Sequence, residues 1–124
     1  MAMIVVAEDE FLLADMLASM LEDNGHEVAV AAHGLAALEA IRSKHPDLLI
    51  TDFMMPLMTG LELATAVRAE NGYSTMPIIL VSGAQGAIGR ANPGMFDAVL
   101  DKPYDTRKLM RTVDDLLSRE SAGA

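Results

Sequence analysis

Cysteine and tryptophan are absent from the 124 residues, and aromatic side chains make up only 4% of them. Without cysteine there is no disulfide framework, no zinc thiolate and no thiol nucleophile, which agrees with a reducing compartment. Basic residues are scarce: nine Lys and Arg stand against eighteen Asp and Glu, a formal net charge of −9. That charge is spread along the chain instead of forming a tail. It disfavours direct binding to nucleic acid or an anionic membrane and suits a positively charged partner. Long apolar runs are missing too. The opening MAMIVVAEDE has no basic stretch, and charge breaks its apolar run after Ala7, so neither a signal peptide nor a membrane span is expected. The expectation is a soluble, cytoplasmic protein.

What the chain does contain is apolar residues, 52% of the total. This length and composition suit one compact domain over 1–124, with its core at about 3–119 and no room for a second, output domain. Short apolar runs at Met3–Ala7, Leu48–Thr51, Ile78–Val81 and Phe96–Leu100 read as strands buried on both faces. A fifth strand, Glu27–Ala32, follows the helix stop Asn24-Gly25.

Helical spacing fills the intervals. Phe11–Glu22 aligns Leu13, Leu17, Met20 and Leu21, and Leu35–Arg42 aligns Leu38 and Ile41. Leu57–Glu70 follows Pro56, and Thr106–Arg119 follows Asp105, a candidate N-cap. Between 83 and 94 four glycines and Pro93 erode helix propensity, so a short or mobile fourth helix is expected. The final ESAGA reads as a frayed tail. Five βα units with short connections fold most simply as a doubly wound parallel sheet, its crevice beyond the carboxyl ends of the strands.

Those ends carry the polar residues. Glu8 and Asp9 end the first strand, Asp52 the third and Ser82 the fourth, and Lys102 follows the fifth. Converging carboxylates repel unless a cation compensates, and oxygen-only ligands favour a hard ion such as Mg²⁺. A carboxylate so placed can attack phosphorus, with Lys102 supplying charge and Ser82 a hydrogen bond.

With these motifs (Glu8-Asp9, TDFMMPLMTG around Asp52, Ser82 in LVSGA, and Lys102-Pro103 in DKPY) the chain resembles the receiver (response-regulator, CheY-like) domain of two-component signalling, over residues 3 to about 119. The resemblance implies a flavodoxin-like (βα)5 fold of class α/β, strand order 2-1-3-4-5, an order the general rule for such sheets already illustrates with a chemotaxis member of this family. It implies that Asp52 accepts a phosphoryl group from a sensor histidine kinase or a histidine phosphotransfer protein. Asp9 and Asp52 would ligate Mg²⁺, with Mn²⁺ as a substitute, Glu8 would act mostly through water, and the Met54 main-chain carbonyl would be a further ligand. Ser82 and Lys102 would contact the phosphoryl oxygens, while Pro56, Gly60 and Pro103 shape the loops, the Lys102-Pro103 peptide being typically cis. Phe11, Asp15 and Met58 are candidates for docking the donor.

Departures from the pattern carry information. Glu8 replaces a commoner Asp, and Val99 stands where many members have an aromatic switch residue. The output would then travel through the loop after Ser82 or through the fourth helix. Neither Met54 nor Ala84 can activate a hydrolytic water, which implies a long-lived phosphoryl state. The protein is expected to be a signalling module and not an enzyme in its own right, a monomer with phosphorylation-dependent dimerisation left open.

Three alternatives have their own signatures. A degenerate receiver would bind partners without phosphorylation. An aspartyl-phosphate phosphatase wants a second Asp two residues after the nucleophile, where this chain has Met54. A flavodoxin-like cofactor carrier wants a phosphate cradle where this chain presents AEDEF. His26, His33 and His45 lack metal or triad spacing and are assigned no chemistry.

Overall fold

The computed structural model describes residues 2–122. Five strands alternate with five helices: β1 (Met3–Ala7), α1 (Phe11–Asp23), β2 (Glu27–Ala31), α2 (Gly34–Lys44), β3 (Leu48–Asp52), α3 (Gly60–Ala69), β4 (Ile78–Ser82), α4 (Gly86–Arg90), β5 (Ala98–Asp101) and α5 (Thr106–Ala122). The strands form one parallel sheet in the order β2-β1-β3-β4-β5. This is the α/β, flavodoxin-like order expected from the sequence.

Alternation along each strand builds two cores. Val5, Ala7, Leu49, Ile78 and Leu80 face one layer with Ile41, Leu63 and Val67 of α2 and α3. Ile4, Val6, Leu48, Ile50, Ile79 and Val81 face the other with Leu17, Leu21, Leu109, Val113 and Leu116 of α1 and α5. Both faces being covered explains why β1, β3 and β4 read as nearly unbroken apolar runs, with Thr51 the one polar residue before the tip of β3.

Local chemistry sets the helix ends. After α1, Gly25 takes φ +90°, and the His26 N–H returns to the Leu21 carbonyl at 3.2 Å, closing the helix as a left-handed cap does. His33 caps α2 by accepting from the Ala36 N–H at 3.1 Å, so its role is structural. Asp105 caps α5, its carboxylate accepting from the Arg107 N–H at 2.8 Å. α5 continues to Ala122, into the stretch expected to fray; of that stretch, residues 123–124 lie outside the described residues, as does residue 1 of the expected domain.

Two expected boundaries and one expected core position need correction. α3 begins at Gly60 and not at Leu57. Leu57 has φ +72° and is spanned by a Met58 N–H to Pro56 carbonyl bond of 2.8 Å, a γ-turn that no helix tolerates. The helix starts instead where Thr59 and Glu62 bond reciprocally in a capping box, at 2.9 and 3.1 Å. β5 begins at Ala98, because Phe96 is buried ahead of the strand while Asp97 pairs its N–H with the Ile78 carbonyl. Leu13, expected on the core side of α1, is 38% exposed.

At the amino end of the sheet, away from the polar strand tips, Arg68 of α3 ties four acceptors together. Its guanidinium donates to the carbonyls of Tyr73, Met76 and Met95, and to the Asp97 carboxylate at 3.0 Å. Asp97 in turn accepts from the Ile78 N–H at 2.8 Å. This one side chain fastens α3, the turn before β4 and the start of β5.

Candidate functional site

The reversal of strand order between β1 and β3 opens a crevice at their carboxyl ends, because their onward connections run to opposite sides. Register aligns the tips: Ala7 lies beside Thr51, Asp52 beside Val81, and Ser82 beside Asp101. Glu8, Asp9, Asp52, Ser82 and Lys102 are thereby gathered at one rim, as the sequence suggests.

Each carboxylate is held differently. Asp52 is largely buried, its Oδ1 accepting from the Phe53 N–H at 2.8 Å and its Oδ2 from Lys102 Nζ at 3.1 Å. Glu8 is buried and accepts from the Glu10 N–H at 3.1 Å and from Lys102 Nζ at 3.3 Å. Asp9 is exposed, yet one of its oxygens lies within 4.8 Å of one from Glu8 and one from Asp52. Three carboxylates thus cluster together, and two of them, Glu8 and Asp52, share one ammonium. The donor set is oxygen only, and octahedral coordination at about 2.0–2.1 Å puts opposite oxygens about 4 Å apart. A small closure of these side chains fits a hard divalent cation.

The electrostatics follow from burial. Glu8 is pushed above its ordinary value, chiefly by desolvation, with the Asp52 charge adding to it. Burial works against the charged Lys102, but the hydrogen bond and charge of Asp52, then those of Glu8, carry it above the usual lysine value. Lys102 is therefore a fixed positive charge. Tyr104 is raised, first by burial.

Loop geometry locks Asp52 in place. The Gly60 N–H donates to the Phe53 carbonyl at 2.7 Å, and a Cβ on Gly60 would collide with the Asp52 carbonyl oxygen. Thr51, fully buried, donates its hydroxyl to the Asp52 carbonyl at 2.8 Å. The Lys102-Pro103 peptide is cis.

The other candidates fall into two groups. Phe11 (79% exposed), Asp15 and Met54 are on the surface. Met58 is partly buried against α2, its Cβ so close to Gly34 that a methyl there would approach to 2.5 Å. Val99 is partly buried in β5, and its methyl would lie 3.0 Å from a Cβ on Gly89 of α4.

Sequence reasoning missed two features. An apolar cleft of about 540 Å³ runs from Asp52, Glu8 and Lys102 beneath the first turns of α1, lined by Val6, Leu13, Leu17, Ile50 and Tyr104. No sequence signal marks it, since Leu13 on its wall has the same helical spacing as the buried Leu17. Gln85, in the loop after Ser82, engages the Ser82 hydroxyl, and no sequence pattern marks it.

Comparison with known proteins agrees with this geometry. The family model described as response regulator receiver domain matches residues 4–114. The DNA-binding response regulator MtrA of Mycobacterium leprae is 31% identical over 116 residues, 94% of this chain and 51% of that protein. The alkaline phosphatase synthesis transcriptional regulatory protein SphR of Synechococcus elongatus is 34% identical over 128 residues, 94% of this chain and 49% of that protein. The chain thus spans about half the length of these curated relatives. Among solved structures, the receiver domain of Francisella response regulator 1452 superposes with a TM-score of 0.88 at 27% identity, covering 97% of this chain and 99% of that one. The chemotaxis response regulator CheY4 of Vibrio cholerae gives 0.85 at 29%, covering 94% and 98%. Among the described residues no helix is long and apolar enough to cross a membrane.

Proposed function

The chain belongs to the response regulator receiver family, a signalling module of two-component systems, and from that premise we propose that Asp52 accepts a phosphoryl group from a phosphohistidine on a kinase or phosphotransfer protein. The observation that carries this reading is Lys102 Nζ lying 3.1 Å from Asp52 Oδ2, with the Glu8 and Asp9 carboxylates gathered beside it. In the reaction a carboxylate oxygen of Asp52 forms a bond to phosphorus as the P–N bond to the donor imidazole breaks. The imidazole leaves with the electron pair.

Asp9, Asp52 and the Met54 carbonyl would hold Mg²⁺, or Mn²⁺ in its place, with Glu8 acting through water. Bound there, the cation would neutralise charge on the phosphoryl oxygens. Lys102 would turn its ammonium from the carboxylates to the incoming oxygens, and Ser82 would donate its hydroxyl to one of them. Pro56, Gly60 and Pro103 keep the loops in shape. The thioether of Met54 and the methyl of Ala84 cannot orient a water for hydrolysis, so the acyl phosphate is long-lived. The phosphorylated state signals or relays through protein contacts, with Phe11 and Asp15 facing the donor and no direct contact to nucleic acid.

Intact mass after incubation with acetyl phosphate tests this, with and without Mg²⁺, in wild type and Asp52→Ala. One phosphoryl group gained only with Mg²⁺ and only in wild type is the expected result. No gain under any condition refutes the reading and leaves a module that binds partners without phosphorylation.

A further inference from the structure

Ser82 is fully buried at the tip of β4, and both ends of its hydroxyl are engaged by a single residue. Its Oγ accepts from the Gln85 N–H at 3.0 Å and donates to Gln85 Oε1 at 3.3 Å. A serine hydroxyl carries one proton. While that proton is given to the Gln85 carboxamide it is unavailable to a phosphoryl oxygen on Asp52, so the two bonds exclude each other.

Gln85 is also the N-terminal boundary of α4, a helix of only five residues whose two buried glycines seat it closely on the sheet. Gly86 and Gly89 sit where added methyls would strike Asp101 in the first case and Leu80 and Val99 in the second. The outer side is tied by the exposed Arg90–Asp101 ion pair at 2.6 Å, the kind of contact that contributes little. Between Ser82 and Gln85 the chain is uncrowded: Gly83 and Ala84 are exposed, and a Cβ on Gly83 would meet nothing within 4 Å. Val99 is too small to follow a moving hydroxyl with a large side-chain swing.

We propose that Gln85 is the positioning residue of the switch: its carboxamide retains the Ser82 hydroxyl in the unphosphorylated protein and is released when that proton turns to the phosphoryl group, freeing α4 and its exposed Ile88 to shift. This rests on Asp52 being the phosphoryl acceptor. It places the moving part of the switch in the loop itself, one hydrogen bond from the reacting group.

Two measurements on the full chain test it. In the free protein, urea unfolding of Ser82→Ala, Gln85→Leu and the double variant reads the bond directly. Non-additive losses, with the double variant no worse than the poorer single one, are expected; additive losses overturn the bond. With Mg²⁺ present, titration with fluoroberyllate, a mimic of the acyl phosphate, followed by fluorine NMR, reads the switch. Gln85→Leu should bind roughly 3- to 10-fold tighter than wild type, the worth of one neutral hydrogen bond. Gln85→Glu, whose side chain offers only acceptors, should bind more weakly than wild type. In the Ser82→Ala background Gln85→Leu should change nothing. Equal binding by wild type and Gln85→Leu overturns the switch role while leaving Asp52 as acceptor. A wild type that takes up no fluoroberyllate overturns the acceptor reading, and the switch role with it.

Discussion

Replacing Arg68 by Met should cost this protein about 3 kcal/mol, although the residue lies at the far end of the sheet from Asp52. Methionine keeps much of the apolar stem that arginine buries but none of its donors. The Arg68 side chain is only 12% exposed, and its guanidinium donates to three carbonyls from two loops as well as to Asp97. Breaking a buried ion pair by removing one partner costs ~3–5 kcal/mol. Asp97 is 28% exposed and keeps its bond from the Ile78 N–H, which argues for the lower end. For a domain of this size the loss lowers the melting temperature by roughly 10–15 °C. Urea and thermal unfolding followed by circular dichroism measure both numbers. Arg68→Lys should recover little, since one ammonium cannot span the fork of acceptors. A loss below ~1 kcal/mol for Arg68→Met refutes the claim that this residue fastens the three segments.

Two further substitutions probe the site. Glu8→Gln should weaken Mg²⁺ binding about 10-fold by calorimetry, yet raise the unfolding midpoint in chelator. Burial and Asp52 lift the folded value of Glu8 above 4.5, so without metal its contribution to stability declines as pH rises from 4.5 through the raised value, and the variant should lose that decline. An equal midpoint and unchanged slope would sink this account. Gly60→Ala should cost ~1–3 kcal/mol in urea unfolding, because its methyl meets backbone that cannot turn aside; a neutral result would mean that the β3–α3 loop gives way easily.

The strands were legible wherever both faces are covered, because burial leaves no charged residue inside β1, β3 or β4 ahead of their tips, and the only polar one there, Thr51, spends its hydroxyl on the Asp52 carbonyl. The first charged residue then marks the rim at Glu8 and Asp52, and the serine before Gly83 marks it on β4. The start of α3 was misplaced because Pro56 and Leu57 imitate a helical first turn, while the Thr59-x-x-Glu62 signature three residues on decides the matter. Periodicity put Leu13 in line with Leu17, but periodicity records a helix face and not whether anything covers its near end. Arg68 reads as an ordinary helix-surface residue, since its acceptors are carbonyls supplied by segments up to 27 residues away. Gln85 is invisible for a similar reason: its significance depends on where one proton points.

The spacing of Glu8, Asp9, Asp52 and Lys102 along the chain has a consequence for how the protein is made. The ammonium that balances the carboxylates lies 50 residues after Asp52 and 94 after Glu8, just beyond an edge strand whose sheet pairing is with β4 alone. Synthesis therefore delivers all three acids well before their counter-charge. A nascent chain that has paired β1 with β3 has to bring like charges together with only solvent or a metal ion between them, so β5 docks onto a half-sheet already carrying electrostatic tension at its rim. A divalent cation in the medium would relieve that tension early, giving it a part in folding that is separate from any part in the finished site.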